Sequence, residues 1–252
     1  MKKFFVTSFL ATWMIAVETV WAAPPDFFYY FDDAGDGKCL VDSGPNAVNV
    51  RYDNKISRYS DASKFGTGSL FAEKSGAIWY FYLPPSNWSE LAESVQKMTI
   101  VLWLRPSNRD TNFTFLVRPS GDPGGTGFFS FTYTTRRLCL NFTSDLGERK
   151  TSASAPVDAW MVGEWIHLGI TFEEGNVRFF VNGETFGEVH PLQSAAIPAA
   201  NFEKTAFAAY TIEGNFLDDF GFFGDTALSA DEIRQIYSDG LKKFVDTRKE
   251  AR

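Results

Sequence analysis

Short runs in which apolar and polar residues alternate recur along most of the chain, and they predict β-strands. The clearest run lies at residues 165–172, where every second residue from Ile166 to Phe172 is large and apolar. Other apolar or alternating runs occupy Phe27–Phe31, Ala77–Leu83, Met98–Arg105, Phe113–Arg118, Gly127–Thr134, Arg137–Thr143, Asn176–Val181, Thr205–Thr211 and Phe216–Phe223. Many short strands separated by turn residues are typical of an all-β sandwich or barrel.

Turn signals set the connections between these strands. Asn182-Gly183 favours a type I′ hairpin, which needs two residues with positive φ, and we expect a three-stranded meander over residues 164–190. The chain contains no internal repeat and no loop long enough to separate two domains. We therefore predict one β-sandwich domain over residues 23–240.

One helix is predicted near the C-terminus. Ser229 and Glu232 have the spacing of a capping box, and the apolar residues that follow recur at helical intervals. Gly240 is the expected C-terminal stop of this helix. Residues 241–252 are rich in charge and are predicted to form a frayed tail.

The N-terminus has the pattern of a secretory signal peptide. Lys2 and Lys3 precede a mostly apolar segment, and small residues near Ala22 and Ala23 resemble a cleavage site. The apolar segment is shorter than the roughly 20 residues that a membrane span needs. We predict a signal peptide over residues 1–22, a secreted or periplasmic protein of bacterial type, and no membrane span after signal removal.

Composition narrows the choice of partner and of compartment chemistry. Lys and Arg number 24 against 31 Asp and Glu, a formal net charge of −7, which argues against nucleic acid as the partner. The 26 Phe residues can supply an aromatic core. Cys39 and Cys139 are the two cysteines. An oxidising compartment permits a disulfide between them, and the sequence leaves open whether they pair or stay as free thiols.

Several segments resemble the laminin G-like, concanavalin A-like jelly-roll family. The run Trp165–Phe172 followed by Val177–Glu184 is similar to its Trp-x-His strand and its Val-Asn-Gly hairpin. Leu217–Phe223 followed by Ala227–Ile233 is similar to its Asp-Asp strand and its Ala-Leu-Ser…Glu-Ile ending. Further similar segments are Met98–Pro106, Tyr29–Asp32, Asp42–Gly44 and Gly66–Leu70.

The resemblance implies an all-β fold with two antiparallel sheets in a β-sandwich, followed by one short C-terminal helix. In this family the concave sheet face often binds carbohydrate, and the rim loops often bind ligands or calcium. One fold hosts many functions, so the site residues have to be examined individually.

Catalytic motifs are weak in this sequence. The family's glycosidases carry the pattern Glu-x-Asp-x-x-Glu on one strand, and it does not occur here. Asp218 and Asp219 are adjacent and would point to opposite faces of a regular strand. His167 has no nucleophile motif beside it, so a structural role is favoured, and two His with two Cys do not form a zinc motif. We predict a non-enzymatic protein, with a polysaccharide lyase or glycoside hydrolase as the alternative.

Calcium is the metal that the resemblance implies. Asp218 matches the metal-binding Asp of the family's last strand, and Asp32, Asp33 and Asp36 could add the oxygen ligands that calcium prefers. The alternative is an ordinary acidic turn in which Asp218 accepts hydrogen bonds from a loop.

Aromatic and cationic side chains are the candidates for ligand contact: Trp79, Trp103, Tyr133, Arg136 and Trp160. A core position is the competing explanation for the aromatic members, and it is favoured for Trp103. The first functional hypothesis is a secreted, non-catalytic glycan-binding module that uses calcium. The second is a structural or adhesive domain that binds a cell-surface or extracellular protein, and the third is an enzyme with an unconventional site.

Overall fold

The fold was analysed in a computed structural model of the 252-residue chain. The structure describes residues 26–32, 39–40, 43–44, 50–52, 57–82, 94–108, 112–119, 129–134, 137–144, 146, 148–154, 162–192, 194, 196–198 and 205–250. The predicted signal peptide lies outside these residues and stays a prediction.

The described strands form two large sheets and one small pair. The first sheet contains nine strands: β1 (Phe27–Tyr29), β4 (Ser57–Ser60), β5 (Ser69–Ala72), β8 (Lys97–Arg105), β13 (Ile166–Glu173), β14 (Asn176–Val181), β15 (Glu184–Thr185), β16 (His190–Pro191) and β19 (Phe216–Phe223). The second contains eight: β2 (Cys39–Leu40), β3 (Val50–Tyr52), β6 (Gly76–Tyr82), β9 (Phe113–Pro119), β10 (Phe129–Thr134), β11 (Arg137–Thr143), β12 (Arg149–Ala153) and β18 (Thr205–Thr211). The small pair is β7 (Ser94–Val95) with β17 (Ile197–Pro198).

The pairing order fixes the topology. The nine-stranded sheet runs β15-β14-β13-β8-β19-β5-β4, with β1 paired to β19 and β16 to β14. The eight-stranded sheet runs β12-β11-β10-β9-β18-β6-β3-β2. Every pairing between described strands is antiparallel. The predicted all-β, two-sheet antiparallel sandwich is confirmed, and so is the meander formed by β13, β14 and β15.

The core between the sheets is largely aromatic. Phe27 and Phe222 of the first sheet stack with ring centroids 4.8 Å apart, and Phe115 of the second sheet lies 5.0 Å from Phe220. The apolar alternation of β13 points into this core, as predicted, because Leu168, Ile170 and Phe172 all belong to it. The intervening residues of β13 are buried as well, since helices cover the outer face of this sheet.

Two helices cover that outer face. Helix α1 (Ala230–Asp239) begins at Ser229, whose side chain accepts a hydrogen bond from the Glu232 backbone in a complete capping box, and it ends at Gly240 as predicted. Its apolar side packs with residues of the first sheet in a second cluster: Phe28, Val101, Phe180, Phe223, Ile233 and Ile236. Arg234 fixes the helix to the β14–β15 hairpin through two hydrogen bonds to Glu184, of 3.0 and 3.1 Å.

The prediction of a frayed tail after Gly240 was wrong. Residues Leu241–Glu250 form a second helix, α2, and Leu241, Phe244 and Val245 are buried in the same cluster as α1. These three apolar residues recur at helical spacing between the charges, and that stripe is what docks the helix. The folded unit therefore continues through residue 250. Among the described residues, no helix is long and apolar enough to cross a membrane.

The hairpin turn before β15 explains how α1 approaches the sheet. Asn182 and Gly183 have φ values of 50° and 81°, the two left-handed residues of the predicted turn. A Cβ atom at Gly183 would lie 2.9 Å from the Tyr237 side chain, so a larger residue would push the helix away.

A polar cluster is sealed beneath α1. The rings of Trp103 and Tyr237 stack 5.4 Å apart, and the His167 ring lies 5.1 Å from Trp103. His167 is fully buried, and within the described part of the chain neither of its ring nitrogens has a hydrogen-bond partner. The indole nitrogen of Trp103 has none there either. Burial lowers the pKa of His167 to about 3. The predicted structural role of His167 agrees with this placement.

The disulfide alternative for the two cysteines was wrong. Cys39 lies in β2 and Cys139 in β11, six strand positions apart in the eight-stranded sheet. That separation is roughly 30 Å, whereas a disulfide needs Cα atoms about 4.4–6.8 Å apart. Cys139 is accordingly a free, partly exposed thiol.

Replacing the helix cap should weaken the fold without changing it. Ser229→Ala removes the side-chain acceptor for the Glu232 amide, and we expect the free energy of unfolding to fall by about 1 kcal/mol. Urea denaturation measures this loss. Ser238→Ala is the matched control, because Ser238 lies in the last turn of α1 and caps no helix start. Equal losses in the two variants would contradict the role of the capping box.

The buried His167 should make stability depend on pH. The folded state excludes the proton that the unfolded state binds below pH 6.5, so the free energy of unfolding falls by about 1.4 kcal/mol per pH unit from 6.5 towards 3. His167→Phe removes this contribution. The free energy of unfolding of the variant minus that of the wild type should therefore be roughly 3 kcal/mol more favourable at pH 4 than at pH 7.5. Urea denaturation at both pH values tests it.

The control variant for this prediction is Trp103→Phe, which alters the same cluster without removing a titratable group. Its stability relative to wild type should be the same at both pH values. If His167→Phe behaved in the same way, the buried neutral imidazole would not be the source of the pH dependence.

Candidate functional site

The outer face of the eight-stranded sheet carries a row of polar side chains. Asn141 of β11 lies opposite Ser130 of β10 on one side and Thr151 of β12 on the other. The Thr151 hydroxyl donates to Asn141 Oδ1 at 2.9 Å, and Asn141 Nδ2 donates to Ser130 Oγ at 3.2 Å. Hydrogen bonds between neighbours hold these amide and hydroxyl groups in fixed orientations.

A second row runs beside the first. Thr114, Thr132 and Tyr210 lie opposite one another on β9, β10 and β18, and Cys139 continues the row on β11. Tyr210 is the most exposed member, with 39% of its surface accessible. The two rows together are called the polar face: Thr114, Ser130, Thr132, Cys139, Asn141, Thr151 and Tyr210.

The polar face follows from period-2 alternation in the sequence. In β10 and β11 the residues between those of the polar face are large and apolar, and they fill the core. Neither described helix packs on this sheet, since both belong to the cluster on the other sheet. The alternation Phe-Ser-Phe-Thr-Tyr and Leu-Cys-Leu-Asn-Phe could have identified this face. None of its residues was among the predicted ligand contacts.

Two of the predicted ligand contacts were wrong. Trp103 is 1% exposed, because α1 covers the sheet face on which it lies. Tyr133 is also 1% exposed, because it shares the inward parity of Phe131 and faces the core. Trp79 lies in β6 opposite the core residue Ala209, and its side chain is outside the described part of the structure, as are Arg136 and Trp160 entirely.

A cluster of carboxylates lies on the opposite side of the molecule, where the first strand ends near the last. The backbone amides of Lys64 and Phe65 donate to Asp218 Oδ2 at 2.7 and 3.2 Å, and the Asp219 amide donates to Asp218 Oδ1. Oδ2 of Asp218 therefore holds the loop at residues 61–68, while Oδ1 is occupied by the amide of the next residue. This is the alternative that the sequence left open for Asp218.

The expectation that Asp218 and Asp219 point to opposite faces was wrong. The pairing of β19 with β8 shifts between Asp218 and Gly221, and Asp219 has φ of 46°. Such a bulge adds a residue to one strand and lets two neighbours turn to the same side. Asp219 Oδ2 consequently accepts the Leu241 amide at 2.9 Å, on the helix side of the sheet.

Asp32 completes the cluster from the end of the first strand. Its Oδ1 accepts the Thr67 amide at 2.7 Å, and a Cβ atom at Gly66 would overlap its carboxylate. The predicted metal ligands Asp33 and Asp36 lie outside the described residues. In the part of the chain that the structure describes, no group of three or more His, Cys, Asp or Glu has an arrangement that could hold a metal.

Burial leaves the two strand carboxylates with unbalanced charge. It raises the pKa of Asp218 to about 8, and the neighbouring Asp219 carboxylate adds to the rise against three backbone amides. It also raises the pKa of Asp219 to about 7, where the Leu241 amide opposes the rise and Asp32 adds to it. A proton or a bound cation would relieve this repulsion.

A pocket of about 330 Å³ opens beside Asp219. Asp32, Phe65 and Gly66 line one side of it, and the α1–α2 junction lines the other. Its two lysines have partners in α1 and α2, since Lys242 pairs with Asp246 at 2.7 Å and Lys243 with Asp239 at 3.1 Å. The pocket therefore combines the carboxylates of Asp32 and Asp219 with two lysines that are already paired.

Comparison with known proteins agrees with this architecture. A sequence model of the family described as the concanavalin A-like lectin/glucanases superfamily matches residues 74–234. No curated protein matches the chain.

Solved structures of clostridial toxin domains have a similar fold. The binding domain of botulinum neurotoxin serotype G superposes with a TM-score of 0.57 and 16% identity over 86% of this chain and 51% of that one. The binding domain of Paraclostridial Mosquitocidal Protein 1 gives 0.59 and 14% over 85% and 51%. The ligand-binding domain of botulinum neurotoxin serotype D, in complex with N-acetylneuraminic acid, gives 0.59 and 14% over 85% and 50%.

This chain spans about half the length of those structures, and identities of 14–16% show a shared fold only. The family match supports a stronger conclusion, because residues 74–234 make up most of the chain and include strands of both sheets. The protein therefore belongs to the concanavalin A-like lectin/glucanase superfamily.

Proposed function

We propose that the protein is an exported, non-catalytic module that binds carbohydrate through the polar face, with calcium bound at the acidic cluster. The observation that carries the proposal is a hydrogen-bonded row on a sheet face that neither described helix covers. In this row the buried Ser130 orients Asn141, and the partly exposed Asn141 and the exposed Thr151 are the members that a ligand can reach. A glycan presents many hydroxyl groups, which can both donate to and accept from hydroxyl and amide side chains.

The geometry of the polar face suits a sugar more than an apolar surface. Its side chains are short and set by neighbouring strands, so they lose little conformational entropy when a ligand binds. Tyr210 adds an exposed ring on which the C–H face of a sugar can pack. The ligand-binding domain of botulinum neurotoxin serotype D, half of which this chain covers, has been solved with N-acetylneuraminic acid, so a protein that contains this fold binds a sugar.

The protein-binding alternative has less support. A contiguous exposed apolar patch would favour a protein partner. Among the described residues the exposed large apolar side chains are distributed over separate parts of the chain: Leu146, Val162, Val189 and Tyr210.

The acidic cluster supports a cation more than it supports catalysis. Retaining and inverting glycosidases need two carboxyl groups that flank the scissile bond and are free to exchange protons. Both oxygens of Asp218 accept backbone amides instead. Asp219 and Asp32 line the pocket and supply carboxylate oxygens of the kind that calcium prefers. The described residues alone do not form a metal site, so the proposal requires further ligands, for which Asp33 and Asp36 are the candidates.

Substitutions on the polar face should weaken glycan binding. A glycan array first identifies a bound sugar, and we then expect Asn141→Ala and Tyr210→Ala each to weaken its binding roughly five- to tenfold, the loss of about one hydrogen bond or one packing contact. Asn176→Ala is the control, since Asn176 is an exposed amide on the other sheet. Thermal unfolding of each variant checks that the fold is intact.

Cys139 gives an independent readout of location. It lies within the polar face, so a bound glycan should slow its reaction with a maleimide in the Cys39→Ser variant, which leaves one thiol. Undiminished labelling at saturating glycan would move the binding site away from this face.

Calcium should stabilise the protein through Asp219. We expect calcium to raise the melting temperature of the wild type, since a ligand held at a hundred times its Kd adds about 2.7 kcal/mol. Asp219→Asn should remove most of this shift. Asp225→Asn removes the same charge from the exposed turn after β19 and should leave the shift unchanged. No shift in the wild type would exclude a calcium site here.

A further inference from the structure

Charge is divided between the two sheets in a way that composition does not predict. The chain has 31 Asp and Glu against 24 Lys and Arg, yet none of the eight strands of the second sheet contains an Asp or Glu. The same strands contain five basic residues: Arg51, Arg118, Arg137, Arg149 and Lys150. Strands of the first sheet contain as many acidic as basic residues: Glu173, Glu184, Asp218 and Asp219 against Arg58, Lys97, Arg105 and Arg178. The two sheets therefore differ in their acidic residues.

On the basis of this division, and resting on the proposed function, we infer that the polar face binds an anionic glycan, one that carries carboxylate or sulfate groups along its chain. The inference names the class of sugar, which neither the family nor the polar row by itself determines.

Two exposed arginines bracket the polar face along β11. Arg137 is exposed at one end, two residues from Cys139 on the same face. Arg149 is exposed at the other end, opposite Thr143, which lies two residues beyond Asn141. Six residues of β11 separate the level of Arg137 from that of Arg149, so the two positions are roughly 20 Å apart.

Arg137 also affects the pKa of the neighbouring Cys139 thiol. Burial raises the pKa of the Cys139 thiol, and the Arg137 guanidinium acts in the opposite direction. Its positive charge therefore extends over the polar face. Among the described residues Arg137 has no ion pair, whereas Lys150 is paired with Glu148 at 2.7 Å.

Anionic groups on the ligand would meet this arrangement with little repulsion. Guanidinium groups bind carboxylate and sulfate oxygens with two parallel hydrogen bonds, so each arginine can select an anion and orient it. Between the two arginines the hydroxyl and amide groups of the polar face can contact sugar hydroxyls. Two cationic positions about 20 Å apart suit a chain with repeated charges better than a single charged monosaccharide.

Matched polysaccharides test the inference. The purified protein is titrated against dextran and dextran sulfate, and against polygalacturonate and its fully methyl-esterified form, at low and at high salt. We expect at least tenfold tighter binding to a charged member than to its neutral partner, and a loss of that preference as salt screens the charges. Whichever charged polymer binds identifies sulfate or carboxylate as the preferred group.

Charge-removing variants locate the effect. Arg137→Gln should weaken binding to the charged polymer at least fivefold and leave the melting temperature unchanged. Arg149→Gln should weaken this binding by a similar factor. Arg178→Gln removes the same charge from an exposed position on the other sheet, and its binding should match the wild type.

Each contrary result has a defined meaning. Equal binding of charged and neutral polymers, with Asn141→Ala still weakening both, would overturn the anionic class and leave the proposed glycan function standing. Equal losses in Arg178→Gln and Arg137→Gln would show attraction by overall charge and overturn the assignment to the polar face. No binding to any glycan would overturn both proposals.

Discussion

The bulge in β19 is the constraint on which the helix-covered half of the molecule depends. It turns Asp218 and Asp219 to one side of the sheet, although regular alternation would separate them. Asp218 then holds the loop at residues 61–68, and Asp219 holds the start of α2. Asp218 thereby connects the last strand to a loop more than a hundred residues earlier in the chain. Asp219 connects the same strand to a helix that begins about twenty residues later.

This arrangement also explains why the two sheets serve different purposes. The nine-stranded sheet is covered by α1 and α2, and its outer positions are occupied by side chains that pack under them, Trp103 and His167 included. In the eight-stranded sheet the apolar residues are needed on the inner face only. Its outer face is free to carry polar groups, and short hydroxyl and amide side chains hold one another in place there.

Much of the fold could be predicted from the sequence because the strands follow period-2 alternation and the turns carry local signals. The Asn182-Gly183 turn and the Ser229 capping box are examples in which a few residues determine the conformation. The bulge at Asp219 was not predictable in this way, because it depends on contacts with α2 and the loop. The α2 helix was missed because its buried stripe of three apolar residues is dispersed among charges.

The candidate site was harder to predict because burial, and not residue type, decides which side chains meet a ligand. Trp103 and Tyr133 have the chemistry of sugar platforms, but a helix covers one and strand parity buries the other. Asn141, Thr151 and Tyr210 are at least partly exposed on the outer face, whereas Ser130 is buried and orients Asn141. Aromatic-platform and catalytic motifs do not include residues of these types in this pattern. Their importance becomes visible only when the register places Ser130, Asn141 and Thr151 side by side.

The separation of charge follows from the same asymmetry between the sheets. Carboxylates are costly to bury, and the two buried ones of the first sheet, Asp218 and Asp219, accept hydrogen bonds from backbone amides. One of these amides lies at the start of α2. Neither described helix packs on the second sheet to supply such donors, and its strands contain no carboxylate. A face without acidic residues and with arginines at its two ends is therefore compatible with stability, and in an acidic protein it gives an anionic ligand one place to approach.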